Sequence, residues 1–286
     1  MKRTHYFFLF LLFANASFAQ SKKPNIIFIL ADDLGIDGVS AYGADFFKTP
    51  VIDKLAKEGI RYTNAYTVPL CGPSRALILS GRYGFRTGAV NQDMTGEIKP
   101  SAENFMPSIL KKAGYTSSMI GKWGQLPLGP AEFGFDDYLR FFGSGSFFNE
   151  AGKKDKYVVN GKEAVLKDGE YMPDLMHDHM VNFLAQHKKD PFYLYYSLSH
   201  VHGEIVATPD TKPGTSDYKD LYADNISYMD KLVGKLVHTL DSLKLRENTL
   251  IVFFGDNGTA GEAAQIGRVQ GQKLSGKKGT MQECGS

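Results

Sequence analysis

Asn25-Ile26-Ile27-Phe28-Ile29-Leu30-Ala31, followed at once by Asp32-Asp33, is the stretch whose reading decides the fold. It is a continuous apolar run with β-branched side chains and no polar alternation. Such a run reads as a strand buried on both faces, as in a parallel sheet. The two acids mark its carboxyl end.

Working outward, the same grammar recurs. Tyr115 to Ile120 reads as a strand followed by Lys122, and Phe192 to Leu198 as one followed by His200 and His202. Thr249 to Phe254 reads as one followed by Asp256-Asn257. Helical segments alternate with these strands. Thr49-Pro50 opens one, with Val51, Ile52 and Leu55 on one face and Gly59 as its stop. Phe105 to Ala113 and Pro173 to His187 are others, and Tyr222 to Leu243 is long and amphipathic. His177, His179, His187 and His238 fall in these helices and read as structural. Residues 124–170 lack sustained periodicity and read as a long insertion rimming the site, with a small hairpin around Tyr157 to Val165. The expectation is an α/β fold: a mostly parallel central sheet with helices on both faces. Ligands in such sheets bind beyond the carboxyl ends of the strands, where Asp32, Asp33, Lys122, His200, His202, Asp256 and Asn257 stand.

Composition bounds the rest. The chain has 286 residues, with 33 basic and 31 acidic side chains. Lys2 and Arg3, the apolar run Phe7 to Phe13 and the small residues Ser17-Phe18-Ala19 read as a secretory signal over residues 1–19. Without it the basic and acidic counts are equal, so there is no electrostatic case for nucleic acid. The expected address is exported, periplasmic or secreted, with no membrane attachment after cleavage. The two cysteines, Cys71 and Cys284, do not make a disulfide framework.

The chemistry centres on Cys71-Gly72-Pro73-Ser74-Arg75. Pro73 suits a first helical turn, with Ala76-Leu77-Ile78-Leu79 as the apolar continuation. Cys71 then stands at a helix N-terminus, where free N–H groups and the dipole favour negative charge. Asp32, Asp33, Asp256 and Asn257 are a hard-oxygen set, suited to Ca²⁺ or Mg²⁺ and poorly to Zn²⁺. Arg75, Lys122 and Lys278 add positive charge for an anion. Alone, Asp32-Asp33 is a helix cap, Asp256-Asn257-Gly258 a tight turn, and each lysine a solvated group. Their ordered coincidence with Cys71 favours a site.

Cys71-x-Pro73-x-Arg75, continued by Ala76 and Ser80-Gly81-Arg82, resembles the sulfatase core motif, and the likeness extends from Lys23 to the last residue. The resemblance implies a sulfatase of the alkaline-phosphatase-like superfamily. Its cysteine would be converted to formylglycine by a formylglycine-generating enzyme, and the substrate would be a sulfated carbohydrate or aryl ester. It implies Cys71, Arg75, Lys122 and His202 as catalytic, and Lys122, His202 and Lys278 as substrate-binding. It implies Asp32, Asp33, Cys71, Asp256 and Asn257 as ligands of Ca²⁺, with Mg²⁺ as the alternative. Sulfatases are longer and carry a smaller C-terminal domain. Residues 20–286 therefore read as the N-terminal portion of the catalytic domain, with the C-terminal subdomain missing. One departure stands out: the family's histidine after Lys122-Trp123 is replaced by Gly124, and His200 or Gln125 is the expected substitute. The competing readings are a phosphate or phosphonate ester hydrolase of the same superfamily and an inactive anion-binding fragment.

Overall fold

The structure, a computed structural model, describes residues 22–143, 145, 147–149, 155–282 and 285. The expected signal at 1–19 and Cys284 lie outside the described residues. In chain order the main elements are β1 (Asn25–Ala31), α1 (Pro50–Glu58), α2 (Cys71–Ser80), α3 (Met106–Lys112), β2 (Thr116–Gly121) and β3 (Asp137–Phe141). Then follow β4 (Lys156–Val159), β5 (Lys162–Val165), α4 (Met172–Gln186), β6 (Phe192–Leu198), α5 (Tyr218–Ser242) and β7 (Thr249–Gly255).

The strands form one sheet in the order β5-β4-β3-β2-β6-β1-β7. From β3 to β7 every pairing is parallel, and β4 and β5 extend the edge antiparallel. Alternate side chains of each central strand feed opposite layers. Ile27, Ile29 and Ala31 of β1, with Leu194, Tyr196 and Leu198 of β6, pack against α1, α4 and α5. Leu30, Tyr193 and Tyr195 face the other way, toward Ala76 and Leu79 of α2 and Phe105 and Trp123. Both faces are thus covered, as the unbroken apolar runs require. Each large side chain so buried contributes roughly 1.5–3 kcal/mol.

Two expectations are corrected. Residues 124–170 are not merely a rim: β3 joins the sheet beside β2, and the β4–β5 hairpin continues it. Asp137 and Arg140 broke the apolar pattern in β3. Asp137 is nonetheless accommodated, half-buried, by the Ser118 hydroxyl at 2.6 Å and His179 Nε2 at 2.9 Å. Helix α5 starts at Tyr218 rather than Tyr222, because the Asp217 carboxylate caps it, accepting from the Lys219 and Asp220 amides at 2.9 and 3.2 Å. Among the described residues no helix is long and apolar enough to cross a membrane.

Candidate active site

The site is assembled by residues that immediately follow β2, β1 and β7, three of the four consecutive strands β2-β6-β1-β7, and still continue their ladders. The Asp32 amide donates to Leu198 O at 2.9 Å, the Lys122 amide to Ser197 O at 3.2 Å and the Asp256 amide to Ala31 O at 3.2 Å. Strand spacing of about 4.8 Å therefore sets the spacing of the charges. Gly121 makes the close approach possible, since a Cβ there would lie 2.0 Å from Ser197 O. Asp33 sits in the left-handed region at φ 61°, a conformation aspartate tolerates better than most residues. Its amide meets Asp256 Oδ1 at 3.2 Å, and its Oδ1 accepts from Asn257 Nδ2 at 2.7 Å.

Cations interleave with these oxygens. Arg75 is fully buried on α2. It donates to Asp256 Oδ2 at 2.8 Å, to Ser197 Oγ at 2.6 Å and to the Lys122 carbonyl at 2.8 Å. Lys122 forms an ion pair with Asp32 and stands 3.8 Å from Cys71 Sγ. Lys278 reaches Asp33 at 2.7 and 2.9 Å. Its loop is tied down by the Lys278 amide to Thr259 O and the Gly279 amide to Pro69 O. His202 Nε2 lies 3.7 Å from Asp33 Oδ2.

Helix α2 begins at Cys71 after an extended Leu70, and Gly81 closes it with a left-handed cap bonded to Leu77 O. Cys71 is a buried free thiol. One side of it faces Lys122, and the other faces two carboxamides. Gln92 Nε2 lies 3.5 Å and Gln125 Oε1 3.9 Å from Sγ.

The structure brings together nine of the residues the sequence singled out: Asp32, Asp33, Cys71, Arg75, Lys122, His202, Asp256, Asn257 and Lys278. His200 is different. Its ring lies between Tyr171 and Tyr228, at centroid distances of 6.4 and 6.2 Å, and neither nitrogen has a hydrogen-bond partner among the described residues. The expectation that His200 substitutes at residue 71 finds no contact to support it, whereas Gln125 is in place. Sequence reasoning missed Gln92 and Ser197. Gln92 lies in an irregular loop with no periodicity to flag it. Ser197 had a signal: a serine hydroxyl in a fully buried strand must find a partner.

Donor atoms of Asp32, Asp33 and Asp256 lie within 4.8 Å of one another. Asp32 Oδ1 and Asn257 Oδ1 are buried with no hydrogen-bond partner among the described residues. Burial would raise Asp32, but Lys122 and Arg75 outweigh it and hold the carboxyl below its usual range. Burial and the Asp32 charge push Asp256 up to about 7, despite Arg75. Three gathered carboxylates, one of them resisting ionisation, and two orphaned oxygens fit a hard divalent cation. Burial also opposes the Lys278 charge, and Asp33 more than offsets it. His202 is held below the usual histidine range by burial, with Asp32 opposing.

Residues 24–283 match the Sulfatase family. Human N-acetylgalactosamine-6-sulfatase is 33% identical over 296 residues, covering 91% of this chain and 55% of its own length. The N-acetylgalactosamine-6-O-sulfatase of Bacteroides thetaiotaomicron is 30% identical over 312 residues, covering 84% and 60%. Among solved structures, Ps i-CgsB, crystallised alone and with k-i-k-neocarrahexaose, superposes with a TM-score of 0.79 at 31% identity. That match covers 92% of this chain and 64% of Ps i-CgsB. The chain spans a little over half the length of the human relative it matches. On the matched length and the shared fold, the chain belongs to the sulfatase family.

Proposed function

We propose that the protein is a sulfuric ester hydrolase acting on a sulfated saccharide. The observation that carries this reading is the convergence of four hard-oxygen residues and four cationic or proton-bearing side chains on position 71. Asp32, Asp33, Asp256, Asn257 and residue 71 itself would hold the cation, for which Ca²⁺ suits the donor set best. When bound, that cation offsets the charge of the sulfate and lowers the pKa of a coordinated hydroxyl. Formylglycine at position 71 supplies the hydroxyl nucleophile that a thiol lacks.

The chain's own residues do the rest. Lys122 and Lys278 present ammonium groups to the sulfate oxygens, and His202 gives a proton to the departing sugar oxygen. Arg75 works from beneath. Its hydrogen bonds all go to protein groups, so it fixes Asp256 and the Lys122 backbone and adds a permanent charge. The α2 N-terminus adds its dipole. Preorganised charge in a dry pocket is the main source of rate here.

The relatives named as N-acetylgalactosamine-6-sulfatases, and the neighbour crystallised with a neocarrahexaose, favour a saccharide over a simple aryl ester. Sulfate rather than phosphate is favoured by the same names. Export, with conversion of Cys71 by a formylglycine-generating enzyme, completes the reading.

The test joins mass spectrometry of the Cys71 peptide to an ester panel. The expected result is loss of the thiol mass in favour of an aldehyde. Sulfate should be released from 6-sulfated N-acetylgalactosamine faster than from an aryl sulfate, and an aryl phosphate should be slowest. An intact thiol in protein from the native host, or faster cleavage of the phosphate ester, overturns the proposal.

A further inference from the structure

Resting on that reading, we propose that Phe142 is a stacking platform for the saccharide, receiving the apolar face of the pyranose ring whose sulfate is cleaved.

A pyranose carries its hydroxyls around the rim and groups C–H bonds on a face. That face leaves water most readily against an aromatic ring. The stretch from the end of β3 to β4 holds five aromatic side chains. Phe141 is 2% exposed and Phe147 9%, and both sit in core clusters. Phe148 packs on Tyr171 at a centroid distance of 4.7 Å, and Tyr157 packs against the main core. Phe142 is the exception, at 43% exposed.

Its place in the fold sets it beside the site. β3 pairs with β2 so that Arg140 lies opposite Gly121, the residue before Lys122. Phe142 therefore follows the carboxyl end of the strand next to Lys122. Along β3, Leu139 and Phe141 feed one core layer, while Tyr138 feeds the other, the layer of Ala76 and Leu79 on α2. Strand alternation puts Arg140 on the Tyr138 side, and Arg140 Cζ lies over the Phe142 ring, 4.9 Å from its centroid. That is the side of the sheet on which α2 carries Cys71. Downstream, three residues of chain connect Phe142 to Gly145, a Cα span of at most about 11 Å. A Cβ at Gly145 would lie 3.5 Å from the His202 carbonyl oxygen. The ring is thus tethered between the strand end of Lys122, which faces the sulfate, and the segment beside His202, which faces the departing oxygen. The sugar joined to that oxygen occupies the same flank.

Arg140 gives the platform its rigidity. An exposed side chain ordinarily hops between rotamers. Here a guanidinium whose Nε is buried lies against the ring, and cation–π attraction holds it. The aromatic surface is therefore ordered before a sugar arrives, so stacking costs little side-chain entropy. A Cβ at Gly143 would meet nothing within 4 Å, which leaves room for the approach. A stack on Phe142 touches carbon and not the reacting sulfur. It binds ground state and transition state alike, so it selects a saccharide over a bare anion and shows in KM rather than kcat.

The test uses the full chain carrying formylglycine, with 6-sulfated N-acetylgalactosamine as substrate. Inorganic sulfate serves as a product inhibitor that has no ring to stack. In Phe142→Ala, KM should rise about three- to tenfold with kcat within twofold, and the inhibition constant of sulfate should stay within twofold of wild type. Phe142→Leu, apolar but without a ring, should show the same rise, and it replaces the alanine variant if that one does not fold. Phe142→Trp should hold KM at or below the wild-type value. A KM within twofold of wild type in the Ala or Leu variant overturns the inference. So does an equal rise in KM and in the inhibition constant of sulfate, which marks a general collapse of the pocket, or a loss in Phe142→Trp as large as in Phe142→Ala. Wild-type protein that carries the aldehyde but releases no sulfate from this ester overturns the proposed substrate and this inference together. An unchanged KM in an active variant overturns this inference alone.

Discussion

His200 and His202 leave the same strand two residues apart and enter opposite surroundings. His202 turns to the charged pocket, 3.7 Å from Asp33 and grouped with Asp32 and Cys71. His200 turns to an aromatic pocket between Tyr171 and Tyr228, where the Tyr228 hydroxyl donates to Asp174 at 2.7 and 2.8 Å. Both rings lose water, and both are lowered by it, but only His202 has carboxylates pulling the other way. Burial alone makes a neutral, inert histidine; burial beside carboxylates makes one that can carry a proton to a substrate.

The largest expected effect separates the two rings by function. His202→Gln should lower kcat by about 10²–10⁴-fold in a sulfate-release assay, while His200→Gln leaves it within a few-fold. Comparable losses in the two variants would erase the distinction. Arg75→Met tests the charged pocket by stability. It strands Asp256 without its buried partner and should cost on the order of 3–5 kcal/mol in urea unfolding. Calcium is next. Added after chelation, it should raise the melting temperature, with about 2.7 kcal/mol of stabilisation at a hundredfold excess over Kd. Asn257→Leu, which removes an orphaned buried oxygen, should shrink that shift.

The aromatic pocket makes its own pH prediction. His200 has an ordinary value of 6.5 when unfolded and is pushed down to about 3 by burial in the fold. Between those values the unfolded chain binds more protons, so stability rises with pH. The contribution is complete above 6.5 and is lost as pH falls, at up to about 1.4 kcal/mol per pH unit. His200→Phe should flatten that acid limb in unfolding curves taken from pH 4 to 7. The smallest effect concerns Gly124. Restoring a histidine there should not improve turnover. It should cost about 1–2 kcal/mol, because the left-handed backbone and Arg75 both oppose a Cβ.

Most of the site was legible because its residues are tethered to the ends of apolar runs. β1, β2, β6 and β7 announce themselves by composition, and the polar residue after each run has nowhere to go but the sheet's carboxyl edge. The hairpin at β4 and β5 was legible from its position between turns. β3 was not, since Asp137 is accommodated by contacts distant in sequence, from Ser118, Asn160 and His179. Gln92 was invisible for the same reason: its role exists only once α2 and the loop before Thr95 are folded together. The orientation of Arg75 was also hidden. Its charge was readable, but not that it points inward, because that depends on Ser197 and the Lys122 carbonyl.

Asp33 and Asp256 touch although 223 positions separate them in sequence. A ribosome has made more than 250 residues before Asp256 and Asn257 exist. Until β7 docks beside β1 the growing polypeptide offers no cage for a cation, and docking then brings three like charges together in one move. The divalent cation available where the chain folds should therefore bear on whether β7 closes onto β1, as well as on the chemistry of the folded site.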